Sequence, residues 1–183
     1  VTWQARRSED FQSMVHGRRQ RTEIEAALDD DGTITALRGH IDADLGGYPT
    51  TGGLLIPEGT ASMLCGAYDV PTGYVSVRGA ITNTAPISAY RGAGRPEATY
   101  IIERLLNACA RELDIDPVAI RRRNFIPSDA FPVETALDAD YDSGEYEKAL
   151  DAALEMIDYD QFRERQRRAR EEGRYLGIGF ASY

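Results

Sequence analysis

Between Glu23 and Leu28 the chain alternates, Ile24, Ala26 and Leu28 on one side and Glu23, Glu25 and Ala27 on the other. That two-residue period predicts a strand with one face buried. Asp29, Asp30, Asp31 and Gly32 turn the chain, and Thr33 to Ala43 return as the partner strand of a hairpin. The apolar parity shifts between Ala36 and Leu37, which predicts a bulge or two-sided burial near Gly39. Before the hairpin, Ser8 with Glu9 and Asp10 predicts the capped start of a short helix or turn through Met14, broken at Gly17. After it, the glycines and prolines from Gly46 to Tyr68 predict a long loop with at most one helical turn around Ala61 to Leu64. Tyr74, Val75, Val77 and Ile81 then predict a third strand.

The second half has helical spacing. Ile101, Leu105, Cys109 and Leu113 share a face of a helix from Pro96 to Leu113. Asp116 caps a short helix with Pro117 in its first position. Phe125 to Asp140 reads as irregular. Asp142 or Ser143 is expected to cap a third helix that places Tyr146, Leu150, Leu154 and Ile157 together, and a charged fourth from Asp160 to Arg170 ends at Gly173. Leu176 to Ala181 alternate small and larger residues, as a packed strand does. The class is α+β: a β-hairpin and mixed strands with three to four helices. Residues 1–88 form a β-rich part with the long Gly/Pro loop, and 89–183 a loop, the helices and a terminal strand.

Candidate chemistry concentrates at Ala89, Tyr90, Arg91, Gly92, Ala93 and Gly94, directly before a helix start. Gly92 and Gly94 permit positive φ or close approach to a ligand, and the free N–H groups of a helix start can face an anionic or oxygen-rich group. Pro96 suits the first helical position and Glu97 complements the positive end of the helix dipole. By pattern alone, a Gly-x-Gly turn before a helix is more often a tight connection than a site. Tyr90 and Arg91 read as a buried-type pair, Tyr90 packing and making one hydrogen bond, and the plain structural role for Arg91 is a buried salt bridge.

Ala89 to Gly94 closely resembles the cofactor loop in the large, molybdopterin-binding subunit of the molybdenum hydroxylases, the family of xanthine dehydrogenase, aldehyde oxidase and carbon monoxide dehydrogenase. The resemblance extends upstream through Val77 to Pro86, downstream through Ile102 to Leu105, and on to Leu113–Pro117 and the run Arg121, Arg122, Arg123, Asn124, Phe125, Ile126, Pro127. It implies that the chain is an internal fragment of a longer subunit, expected to be inactive alone. It also implies that Ala89, Tyr90, Arg91, Gly92, Ala93 and Gly94 bind a molybdenum–molybdopterin cofactor in its cytosine dinucleotide form, through main-chain N–H groups and an arginine.

The implied reaction oxidises an aldehyde or N-heterocycle with oxygen from water, passing electrons to 2Fe-2S clusters and FAD on partner chains or domains. The implied assembly is a homodimer of heterotrimers, in the cytoplasm. By family order the general-base glutamate is expected beyond Tyr183, so no catalytic residue is assigned here. Glu97 and Glu103 are read as helix-end and surface-pairing residues. In the carbon monoxide dehydrogenases the position of Gly92 is a copper-binding cysteine, and in the xanthine dehydrogenase branch that of Ala93 is an aromatic residue. Glycine cannot supply a soft copper ligand, and alanine gives a purine no stacking platform. A catalytically silent binding or scaffold module of the same fold is the alternative.

Composition narrows the rest. A net charge of −9 argues against nucleic acid as a partner, and no apolar run is long enough to span a membrane. Arg163, Arg165, Arg167, Arg168 and Arg170 are interleaved with Glu164, Glu171 and Glu172, the pattern of a solvated helix face. Cys65 and Cys109 lack metal-ligand spacing and read as small buried thiols. His16 and His40 lie far from the loop in sequence, and no P-loop or nucleophile elbow supports a nucleotide binder or a hydrolase.

Overall fold

The computed structural model describes residues 1–183. Helix α1 (Arg7–Ser13) precedes the hairpin strands β1 (Gln20–Leu28) and β2 (Ile34–Gly46), and α2 (Thr51–Ser62) leads to β3 (Gly73–Ile81). Then come α3 (Arg95–Glu112), α4 (Pro117–Asn124), the short ribbon β4 (Val133–Glu134) and β5 (Asp140–Tyr141), α5 (Tyr146–Met156) and α6 (Tyr159–Glu171). The class is α+β, as expected; α1 is the short helix or turn expected before the hairpin, and of the six helices only α2 exceeds the sequence reading.

The main sheet has the order β1-β2-β3, antiparallel between β1 and β2 and parallel between β2 and β3. A parallel pair needs a crossover, usually helical, and α2 lies on it. This corrects the loop expected from Gly46 to Tyr68. Thr50 starts the helix, its Oγ1 accepting from Gly53 N at 2.9 Å, and burial of Ile56, Pro57 and Thr60 holds it. Glycine and proline oppose helix in isolation, but packing outweighs propensity here.

Other boundaries move for similar reasons. The extra residue in the hairpin is Thr35, because Ala27 pairs with Ala36 and Leu28 with Ile34. Gly39 instead pairs regularly, with Ile24 on one side and Val75 on the other. Beyond that bulge Leu37, Ile41, Ala43 and Leu45 are all buried, so the parity shift is real and its cause lies nearer the turn. Arg6, not Ser8, is the N-cap of α1, and Glu9 reaches back to accept from its amide at 2.7 Å. The cap of α5 is Glu145, without a side-chain hydrogen bond, rather than Asp142 or Ser143. Leu176 to Ala181 form no strand, since no strand of the chain pairs with them. Phe180 instead packs edge-on against Tyr159, centroids 5.4 Å apart.

The core lies between the inner face of β2 and α3 and α4, with Leu37, Tyr68, Ile102, Leu106, Ile120 and Phe125 at its centre. The Arg-Arg-Arg-Asn run ties its parts together. Arg121 is wholly buried against Glu103, Arg122 pairs with Glu147 and Asp151 on α5, and Arg123 reaches Asp31 in the hairpin turn at 2.7 Å. Asn124 donates to Gly32 O and Ile120 O and accepts from Ile34 N. One short helix thereby joins the hairpin to the helical half.

Candidate cofactor loop

The loop starts from a firm base. Asp44, near the end of β2, accepts from Gly46 N at 2.9 Å, from Thr82 Oγ1 at 2.6 Å and from Arg19 at 3.0 Å. Those contacts, the Thr82 hydroxyl foremost, hold its carboxyl below the usual range. The chain then runs beside His16, whose N donates to Pro86 O and whose O accepts from Ser88 N. This backbone pairing brings residue 16 to the loop's approach despite the distance in sequence. His40 stays away, on the outer face of the sheet, bonded to Ser76 Oγ and Asp42.

The loop itself turns tightly onto α3. Gly92, Ala93 and Gly94 have φ of 91°, 40° and 98°, in the left-handed region. Gly94 is the N-cap of α3, with Arg95 as first residue and Pro96 following. A Cβ on Gly94 would lie 2.8–2.9 Å from backbone atoms of Ile56, Gly59 and Thr60, so the loop's end rests directly on the main chain of α2. Glu97 folds back and accepts from Gly94 N at 3.1 Å. On the other side of α2, Thr50 Oγ1 donates to Ile87 O at 2.7 Å.

Two groups of donors are left over. Ala93 N donates to Tyr90 O and Arg95 N to Gly92 O, but the amides of Ala89, Tyr90, Arg91 and Gly92 have no acceptor within the chain. The side chain of Arg91 is exposed and forms no ion pair, which corrects the buried pair expected for Tyr90 and Arg91. Tyr90 is 65% exposed, its ring covered on one face by the guanidinium of Arg18 at 4.9 Å. Four free N–H groups and an unpaired guanidinium on one tight turn are a donor set for an anionic or oxygen-rich ligand. The chain belongs to the molybdopterin cofactor-binding domain family. Its residues 1–125 match that family's description.

Whole-chain similarity agrees with membership. The chain is 34% identical over its full length to the nicotine 6-hydroxylase large subunit of Paenarthrobacter nicotinovorans, covering 22% of that protein. It is 35% identical, again over its full length, to the carbon monoxide dehydrogenase large chain of Hydrogenophaga pseudoflava, covering 24%. Crystalline quinoline 2-oxidoreductase from Pseudomonas putida 86 superposes with a TM-score of 0.84 at 33% identity, over 93% of this chain and 22% of that one. The chain thus spans about a quarter of the length of the curated relatives it matches.

In this molybdopterin cofactor-binding domain the donor set fits a polar, oxygen-bearing cofactor, and no group of three or more His, Cys, Asp or Glu side chains is gathered to hold a metal ion by itself. No helix is long and apolar enough to cross a membrane. Cys65 is buried in the core, where desolvation pushes its thiol up to about 11, and Cys109 lies on α3; neither reaches the loop.

Glu103 is the main correction among the acids: it is 4% exposed, accepts from Tyr68 Oη and pairs with Arg121, so it is no surface residue. Burial and then the negative charge of Glu103 push the Tyr68 hydroxyl well up, keeping it a donor. Arg18 was missed altogether, because it acts through tertiary contacts. Arg121 had a legible signal, since Val118, Arg121, Asn124 and Phe125 recur at helical spacing.

Proposed function

We propose that this chain is the part of a molybdenum hydroxylase large subunit that presents Ala89 to Gly94 to a molybdenum–molybdopterin cofactor in its cytosine dinucleotide form. The observation that carries this reading is the set of unpaired amides at 89–92 beside the unpaired guanidinium of Arg91. Bound there, the cofactor supplies the redox and Lewis-acid chemistry of carbon hydroxylation with oxygen from water. The loop amides would donate to its oxygens, and Arg91 would add a permanent positive charge beside them. The general base is assigned to sequence beyond Tyr183. Glu97 is engaged by Arg18 and Gly94 N, and Glu103 by Tyr68 and Arg121, so neither is free to accept a substrate proton.

The substrate class is an aldehyde or N-heterocycle at a mononuclear molybdenum site. Gly92 offers no thiol, and Ala93 no aromatic platform. Names among the relatives support the heterocycle, nicotine in one and quinoline in another. Electrons leave to 2Fe-2S clusters and FAD on partner subunits in a cytoplasmic homodimer of heterotrimers, a reading supported by relatives that are large chains of assemblies.

The test is molybdenum content and turnover of the full-length, assembled protein. Arg91→Ala should lower both by about tenfold or more, while Arg122→Ala, whose ion pairs are exposed, leaves them near wild type. Equal values in the two variants would overturn the reading.

A further inference from the structure

Arg18 stands outside the loop yet holds more of it than any residue within it. Its backbone takes φ of 62°, a conformation that non-glycine residues rarely adopt. From there its guanidinium donates to Glu97 Oε2 at 2.9 Å and to the carbonyl of Arg91, and lies over the ring of Tyr90. The same Glu97 oxygen accepts from Gly94 N. Gly17 lies so close beneath Tyr90 that a Cβ on it would come within 2.8 Å of the Tyr90 Cβ. The segment 16–18 is thus pressed along the loop from Pro86 to Arg91.

The contact with Arg91 O matters because of what shares its peptide plane. In a trans peptide the C=O of one residue and the N–H of the next point in opposite directions. Holding the Arg91 carbonyl toward Arg18 therefore directs the Gly92 N–H away from Arg18, and that N–H is one of the unpaired amides. Without a hold, the Arg91–Gly92 peptide can flip, since glycine accepts φ of either sign. The flipped plane would offer a carbonyl oxygen where the site offers a donor, and would repel an oxygen-rich ligand.

We propose that Arg18 is a positioning residue that locks the Arg91–Gly92 peptide in its donor-out orientation and so presents the Gly92 N–H to the cofactor. The proposal rests on the reading of 89–94 as the cofactor loop. Arg18→Gly separates backbone from side chain, because glycine takes the positive φ without strain while the guanidinium is lost; Arg18→Asn, also tolerant of positive φ, serves if the glycine variant does not accumulate folded.

Two readouts on the full-length protein decide it. In cofactor-free protein, hydrogen exchange at the bonded amides of Ala93, Gly94 and Arg95 should rise by about tenfold in either variant, with little change in the thermal unfolding midpoint. In loaded protein, molybdenum retained after dialysis should fall by about tenfold, and Arg18→Lys, which keeps the charge facing Glu97 but lacks the guanidinium fork, should recover only part of it. Unchanged loop exchange overturns the proposal. Faster exchange with full retention of molybdenum upholds the hold on the loop but overturns its assignment to the cofactor.

Discussion

Arg121 and Glu103 meet at 2.7 Å on adjacent helices, with 0% and 5% of their side chains exposed. The pair is fully furnished: the guanidinium also donates to Pro117 O and Asn107 Oδ1, and Glu103 accepts from Tyr68 Oη. Removing one partner strands a buried charge, which costs about 3–5 kcal/mol, whereas an exposed pair is worth under about 1 kcal/mol. Arg121→Ala should therefore destabilise severely in urea titration and Arg122→Ala slightly. Replacing both partners, as Arg121→Met with Glu103→Leu, should cost less than Arg121→Ala alone.

Gly94 and Gly173 both have positive φ, 98° and 75°, but only Gly94 has neighbours where a Cβ would go. Alanine at 173 should cost about 1 kcal/mol from backbone strain alone. Alanine at 94 should cost clearly more, because the atoms in its way are backbone of α2 rather than a movable side chain. Comparison of the two midpoints checks it, and equal costs would contradict the close seating of the loop on α2.

Asp44 should leave a mark on acid stability. Its folded pKa lies below the usual 3.8, so its contribution is complete above that value and is lost as pH falls through the folded one. Asp44→Asn should lower stability by about 0.5–1 kcal/mol at pH 7. The gap should close as wild type is titrated below the usual carboxylate range. A gap that stayed constant across this window would show that the charge is irrelevant.

Copper analysis of the complete enzyme should find none at stoichiometric level, and carbon monoxide should reduce it far more slowly than an aldehyde or N-heterocycle. Gly92→Cys should not create that activity. A Cβ at 92 would fall 2.6 Å from the Pro96 ring, and φ of 91° is strained for cysteine, so the loop would have to move before the thiol could serve. One copper per molybdenum in the native enzyme would refute the argument from the missing thiol.

The hairpin, β3, α3, α4 and α6 were legible because each carries its own local signal: alternation, a cap, or a helical face. The loop was legible through Gly92, Gly94 and the helix start behind them. What stayed hidden depends on partners distant in sequence. Nothing local shows that β2 and β3 run parallel, so nothing demanded a crossover helix among the glycines of 46–68. Tyr90 and Arg91 look like core residues until the turn at Gly92 exposes them. Arg18 and Glu97 meet across 79 positions, and Glu103 becomes a buried residue only once Arg121 is placed beside it.

Helix α2 carries Gly52, Gly53, Gly59 and Pro57, a deficit of roughly 6 kcal/mol in intrinsic helix propensity against alanine. It exists on borrowed stability, through its seating against Ile87 at one end and Gly94 at the other. Helix and loop are consequently a single cooperative unit. Local unfolding that frees α2 removes the surface on which Gly94 rests, so the corner of the molecule that presents the donors should open together with α2, before the sheet or the Arg121 core.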